Sequence, residues 1–388
     1  MSSIQKYMEQ LKRDFPEVPP QEAIQYLEDH TAIFIDVREQ EEVDAGMIPQ
    51  AEHIPRGFLE LKIESLVPNK EQAIIVHCAS GMRSLLAARD LATLGYQNVA
   101  SLQGGFNRWK AEALPIIMPK RLNATQRERY LRHLRIPELG EKGQLRLLES
   151  KVLLVGAGGL GCPAAIYLAA AGIGEIGIID PDIVDRSNLQ RQVLHSEATI
   201  GLPKVESAKK SLLALNPDIK INCYQERLSA ANAEALIREY DLVIDGTDNF
   251  TARYLVNDAC VKLGKPNVHG SIYRFEGQVS VFWPQSPQKK GPCYRCLFPE
   301  PPPAESAPSC AEAGVLGILP GVIGTLEAVE AIKILAQIGE PLVGRILSYD
   351  ALAASFQEIR LPPDPACVLC QGDRQAIVLE EINEYCRG

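Results

Sequence analysis

Residues 151–161 read Lys151-Val152-Leu153-Leu154-Val155-Gly156-Ala157-Gly158-Gly159-Leu160-Gly161. The first five form an apolar run without alternation, the pattern of a buried strand. Glycines follow at once, at a turn that opens a helix. There they let the backbone approach phosphate, and the helix N-terminus attracts anions. A second strand follows at Ile176-Gly177-Ile178-Ile179-Asp180 and a later one at Leu242-Val243-Ile244-Asp245. This alternation predicts an α/β domain, an open and mostly parallel sheet with helices on both faces. Asp180 ends the second strand, where an acid binds ribose hydroxyls. Glycine turn and acid alone would suit an NAD enzyme.

The residues downstream separate the alternatives. Asp185-Arg186-Ser187-Asn188-Leu189-Gln190-Arg191-Gln192 brings cations and amides soon after the acid. Gly201-Leu202-Pro203-Lys204-Val205 adds a lysine before a helix, and Asp245-Gly246-Thr247-Asp248-Asn249 puts a carboxylate beyond a strand end. Arg191, Lys204 and an acid suited to Mg²⁺ are what a triphosphate requires, because charge must be neutralised on the attacked and departing phosphates. Hydride transfer has no such need. No G-x-x-x-x-G-K-[ST] motif occurs, so the chain is not a Walker-type ATPase. Further on, Cys293-x-x-Cys296 and Cys367-x-x-Cys370 form two knuckles roughly 70 residues apart. Two such pairs suit a closed, tetrahedral, structural Zn²⁺ site. Arg127 to Leu148 reads as helical and charged.

Upstream, the first 115 residues read as a smaller α/β unit. Ala32-Ile33-Phe34-Ile35-Asp36-Val37 and Ala73-Ile74-Ile75-Val76-His77 are strand-like, and each leads through a loop to a helical pattern. His77-Cys78-Ala79-Ser80-Gly81-Met82-Arg83-Ser84 lies between strand and helix. Such a loop curls its N–H groups around one point, and a sulfur there is favoured as a nucleophilic thiolate. Gly81 permits the positive φ of a tight curl. Arg83 is placed to stabilise the anion across the loop. Residues 116–123, beginning in a proline-flanked basic stretch, read as a linker, and 124–388 as the larger domain.

Composition narrows the class. The chain has 388 residues, 40 Lys+Arg against 49 Asp+Glu, and a net charge of -9, which argues against nucleic acid as the main partner. No apolar run reaches the roughly 18 residues that span a bilayer, and no signal peptide is read at the N-terminus. Ten Cys without an export signal point to reduced thiols, hence a cytoplasmic protein with metal ligands or reactive sulfur. Cys162, Cys223 and Cys260 sit in core-like contexts, Cys386 in a tail. His133, His195 and His269 show no ligand spacing and read as structural.

Two families are resembled. Residues 15–115 resemble a rhodanese domain, a sulfurtransferase. The likeness rests on the Cys78 loop, Asp36-Val37-Arg38-Glu39, Gly46-Met47-Ile48-Pro49, and Leu102-Gln103-Gly104-Gly105-Phe106 before Trp109. Met47 departs from it, since the family usually has His there. The resemblance implies that Cys78 carries sulfur as a persulfide. Residues from about Ala124 to Asp373 closely resemble the MoeB/ThiF family on GAGGLG, SNLQRQ, GLPKVESA, DGTDNF, CYRC and CVLC. That resemblance implies an ATP-dependent adenylyltransferase acting on the C-terminal Gly-Gly of a ubiquitin-like sulfur-carrier protein. Position by position, it implies that Gly156, Gly158, Gly159, Gly161 and Asp180 hold the nucleotide. Asn188, Arg191 and Lys204 act on the phosphates, and Asp248 binds Mg²⁺. It further implies a homodimer in which Arg132 reaches the partner subunit's site. In some relatives a Cys at the position of Cys310 takes part in the chemistry; here Cys310 is either such a thiol or an unreactive one. The two resemblances together imply sulfur transfer from a donor, a cysteine desulfurase persulfide or thiosulfate, through Cys78 to a carrier thiocarboxylate. Molybdopterin, thiamine and related pathways use this chemistry. Fusions of this type usually carry the rhodanese part last; here it comes first.

Overall fold

The apolar runs at residues 33–36 and 74–77 form the middle of a five-stranded sheet in the computed structural model, which describes residues 2–301 and 314–382. The chain divides into two units, residues 1–121 and 122–388. In the first, the strand order is Glu17–Val18, Val99–Leu102, Ile74–His77, Ile33–Asp36, Glu52–His53, and every pair is parallel. Alternate residues feed two cores. Ile35, Ile74 and Val76 pack with Leu59, Ile63, Ala88 and Leu91 on one face, and Phe34, Ile75 and Leu102 with Ile48 and Trp109 on the other. A sheet buried on both faces explains why these strands read as unbroken apolar runs. Trp109 is fully buried, and its Nε1–H donates to the Pro115 carbonyl at 2.8 Å. Beyond it, Ile117 and Met47 exchange backbone hydrogen bonds of 2.8 and 2.9 Å, so the stretch read as a linker starts against the first unit. Met47 itself is buried in that core.

The second unit is built on an eight-stranded sheet. Lys220–Tyr224, Glu175–Ile179, Lys151–Val155, Leu242–Asp245 and Asn267–Tyr273 lie side by side in parallel. Glu276–Phe282, Arg345–Asp350 and Ser355–Arg360 extend it in antiparallel fashion. This antiparallel extension is not among the elements expected from the sequence. The edge strand Ser355–Arg360 is almost wholly exposed and so carries no apolar run to reveal it. Lys151–Val155 sits between Glu175–Ile179 and Leu242–Asp245, the point where strand order reverses and a crevice opens at the carboxyl ends. Helices Gly161–Ala171 and Leu319–Ala336 cover one face and Phe250–Leu263 the other. The helical stretch read at 127–148 is divided among Ala124–Arg129, Leu131–Leu134 and Gly140–Glu149. Pro137, with no N–H and a fixed φ, falls in the second break.

Candidate functional site

In the first unit the strand Ile74–His77 delivers Cys78 to the N-terminus of the helix Met82–Thr93. Cys78 is 1% exposed, and its sulfur accepts the Gly81 N–H at 3.2 Å; Ser84 Oγ lies 3.6 Å away. Gly81 adopts φ +93°, a conformation that side chains rarely tolerate. The Gly81 N–H and the helix N-terminus turn the positive ends of their dipoles toward this sulfur. Arg83 lies on the first turn of the same helix, where its guanidinium interacts with Glu42 most strongly and also with the Cys78 sulfur. Nη1 and Nη2 donate to the two carboxylate oxygens of Glu42 at 2.7 Å each. That bidentate bond holds the Arg83 pKa above its ordinary value and Glu42 below. Arg38 braces the segment that carries Glu42: it donates to the Glu42 and Gly46 carbonyls, pairs with buried Asp36 at 2.6 Å, and lies 4.0 Å over the Phe106 ring.

His77 precedes the cysteine and is wholly buried, with neither ring nitrogen hydrogen-bonded; Nε2 lies 3.7 Å from Asp36. Burial pushes its pKa down to about 4, with Asp36 opposing. The ring is therefore neutral when folded, while the unfolded chain protonates near pH 6.5. The folded value is the lower one, so the stability contribution is complete above about pH 6.5 and is lost as pH falls toward 4, by about 3 kcal/mol in all. We expect melting of the first unit, followed by Trp109 fluorescence in a Trp283→Phe background, to shift down across that window. His77→Leu should flatten the shift; an unchanged slope in that variant would exclude His77 as its source.

In the second unit the crevice encloses about 520 Å³ and is lined by Gly156, Gly158, Gly159, Asp180, Arg191, Lys204 and Asp248. Local geometry explains the glycine turn: a Cβ on Gly161 would run into the Gly156 carbonyl oxygen. Asp180 is buried and accepts the Ala157 and Asp182 N–H groups, each at 2.8 Å. Burial raises its pKa, and the charge of Lys204 opposes the rise. Lys204 opens the helix Lys204–Leu215, is itself buried, and donates to Asp182 Oδ2 at 2.7 Å. Arg191 donates to the Ser187 carbonyl at 3.1 Å. Asp248 is exposed on a loop anchored from below by buried Asp245, which accepts from His269 Nδ1 at 2.8 Å and Thr247 Oγ1 at 2.6 Å. Burial works to raise the Asp245 pKa, yet the His269 hydrogen bond and charge hold it below the ordinary value.

Three residues named from sequence are not on the crevice lining. Gly161 packs behind the turn. Asn188 Oδ1 accepts the Asp185 N–H at 3.2 Å and so caps a short helical turn. Arg132 is exposed on Leu131–Leu134. Cys310 and Cys386 lie outside the described residues. Asp182, Gln192 and Arg253 line the crevice without having been singled out. Asp182 had a signal, since it lies two residues past Asp180 in the same turn. Cys162 and Cys223 are pushed up to about 12 and about 11 by burial, and Cys260 is also raised, which leaves all three as unreactive thiols.

The four knuckle sulfurs lie within 4.8 Å of one another, with Cys293–Cys296 at 3.8 Å, Cys293–Cys367 at 3.6 Å and Cys296–Cys370 at 3.5 Å. Four thiolates about 2.3 Å from a tetrahedral ion would stand about 3.8 Å apart, so the cluster fits a metal. It ties the late Cys367–Cys370 turn to the short helix Tyr294–Leu297.

Residues 130–369, more than half of the chain, match the ThiF family. The chain belongs to the ThiF family. Residues 19–112 match the Rhodanese-like domain. The ThiF-family match takes in every crevice residue named above, and the rhodanese-like match takes in Cys78, Arg83 and Glu42. Over 260 residues the chain is 50% identical to a sulfur carrier protein adenylyltransferase of Thermus thermophilus, covering 67% of this chain and 96% of that protein. Over 253 residues it is 53% identical to a probable adenylyltransferase/sulfurtransferase MoeZ of Mycobacterium tuberculosis, covering 65% of this chain and 64% of that relative's own length. Among solved structures, E. coli MccB with ATP is similar at a TM-score of 0.53 and 25% identity, covering 60% of this chain and 70% of that one. E. coli MccB alone gives 0.57 at 24%, over 69% and 78%, which shows the fold of the ThiF-family unit. Among the described residues no helix is long and apolar enough to cross a membrane.

Proposed function

We propose that this chain adenylylates the C-terminal Gly-Gly of a ubiquitin-like sulfur-carrier protein at the ThiF-family crevice and supplies sulfur to it from Cys78. The observation that carries the reading is the meeting of Lys204, Arg191 and Asp248 around a glycine turn, on the same polypeptide as a cysteine aimed along a helix N-terminus. The names of the Thermus and Mycobacterium relatives support it.

The carrier's terminal carboxylate attacks the α-phosphate of ATP, and pyrophosphate leaves with its electron pair. Asp180 takes the ribose hydroxyls. Lys204 and Arg191 offset the negative charge that grows on the phosphates. Asp248 would hold a Mg²⁺ ion, which when bound would supply further charge neutralisation on the triphosphate. The acyl-adenylate so formed has an electrophilic carbonyl. Cys78, loaded as a persulfide by a desulfurase persulfide or by thiosulfate, attacks that carbonyl through its terminal sulfur, and AMP departs. A second thiolate, for which Cys310 is the candidate, then attacks the Cys78 sulfur. The carrier leaves as a thiocarboxylate and a disulfide remains at Cys78. A homodimer with Arg132 serving the partner's site completes the reading, as does a cytoplasm that supplies ATP and reduced thiols. ATP–pyrophosphate exchange with and without a Gly-Gly-ended carrier tests it. Exchange is expected only with the carrier, and its absence in both arms would overturn the adenylylation step.

The metal in the cysteine cluster is, on this reading, a structural Zn²⁺. Purified protein should hold about one zinc per chain, and Cys367→Ser should release it and lower the melting temperature of the second unit by several degrees or more. Less than half an equivalent of zinc in fresh protein would count against the assignment.

A further inference from the structure

We propose that His195 is a positioning residue for adenylylation, resting on the reading above: it ties the helix that carries Lys204 to the glycine turn. Its ring is buried behind the crevice, outside the lining. Nε2 lies 3.0 Å from the Ala157 carbonyl oxygen, and Nδ1 lies 2.9 Å from Ser207 Oγ. A carbonyl only accepts, so Nε2 carries the proton. Nδ1 then presents a lone pair and the Ser207 hydroxyl donates to it. Burial, with the charge of Lys204, lowers the His195 pKa against the Ala157 carbonyl and Asp180, which keeps the ring neutral at neutral pH.

These bonds close a ring of contacts. Lys204 donates to Asp182, whose N–H donates to Asp180. Asp180 also accepts the Ala157 N–H, and the Ala157 carbonyl accepts from His195. His195 is held by Ser207, which is fully buried and one turn along the Lys204–Leu215 helix. Six residues thus fix the distance between the lysine and the turn that it must serve. Five links are hydrogen bonds, and the sixth is the first turn of the helix. Ala157 is gripped on both sides, N–H by Asp180 and carbonyl by His195. The Cys162 sulfur adds a contact of 3.3 Å to the same carbonyl. Opening the ring at His195 frees the turn to drift relative to Lys204, and a displacement of about 1 Å in a positioned group costs up to about 10²-fold in rate.

The test uses two isosteric amides in the full chain, read by carrier-dependent ATP–pyrophosphate exchange. Gln extends an N–H donor to where Nε2 stands, whereas Asn reaches only the Nδ1 position. We expect His195→Asn to lower kcat/KM for ATP by about 30–100-fold and His195→Gln to stay within about threefold of the parent. Because His195 acts through the placement of Lys204, the Asn penalty should shrink to about twofold or less in a Lys204→Ala background. Should His195→Asn not fold, Ser207→Ala opens the ring at the next link; about a tenfold loss is expected, again vanishing without Lys204. Equal losses for Asn and Gln, parental activity in His195→Asn, or an undiminished penalty without Lys204 would each overturn the proposal. A parent enzyme that shows no carrier-dependent exchange would instead remove the adenylylation reading beneath it.

Discussion

Lys204→Ala lowers carrier-dependent ATP–pyrophosphate exchange by about 10²–10³-fold, the size seen when one preorganised group is withdrawn from a developing anion. The expectation follows from where the ammonium sits. It is buried at the first turn of its helix, held at 2.7 Å by Asp182, and lines the crevice together with Arg191 and the glycine turn. A cation already desolvated and oriented needs no reorganisation as charge grows on the phosphates. Truncation also removes the buried aliphatic stem, so a purely structural loss must be separated from a chemical one. Lys204→Met keeps the aliphatic stem and should show the same loss with little change in melting temperature. Thiosulfate-to-cyanide sulfur transfer, which needs only the Cys78 loop, should be unaffected in both variants. A Lys204→Met enzyme exchanging within a few-fold of the parent would take Lys204 out of the chemistry.

Cys78→Ala should abolish both thiocarboxylate formation on the carrier and thiocyanate release from thiosulfate and cyanide, while leaving pyrophosphate exchange at the parental rate. The sulfur sits at a helix N-terminus with the Gly81 N–H on it, and the first turn of that helix is held by the Glu42–Arg83 pair. Among the described residues the other cysteines either have a pKa raised by burial or belong to the four-sulfur cluster. Intact mass of the carrier distinguishes carboxylate from thiocarboxylate. If the variant still makes thiocarboxylate from thiosulfate at the parental rate, Cys78 is not the courier of sulfur.

Much of this was readable along the chain because it is local. A run such as Val152–Val155 followed by glycines has one comfortable conformation, a buried strand turning into a helix, and the same holds for Ile74–His77 before Cys78. Cysteine spacing likewise announces a four-sulfur cluster that suits a metal without any knowledge of the fold. Asn188 shows the limit. Its motif is clear, yet whether an amide faces a crevice or caps its own turn depends on the direction of one side chain. The outer edge of the antiparallel flank was hidden for a related reason: Ser355–Arg360 buries too little to leave a hydrophobic period.

What the residues determined by themselves is the pair of α/β units and the chemistry available to each, since strand runs, glycine turns and ligand spacing act over a few neighbours. Only the folded chain decided who holds whom: Glu42 on Arg83 across 41 positions, Asp182 on Lys204 across 22, and His195 on Ala157 across 38. Hydrogen bonds and ion pairs act over about 3 Å of space, whatever the separation along the backbone. Their partners therefore exist only once the sheet and its crossovers have brought distant turns together.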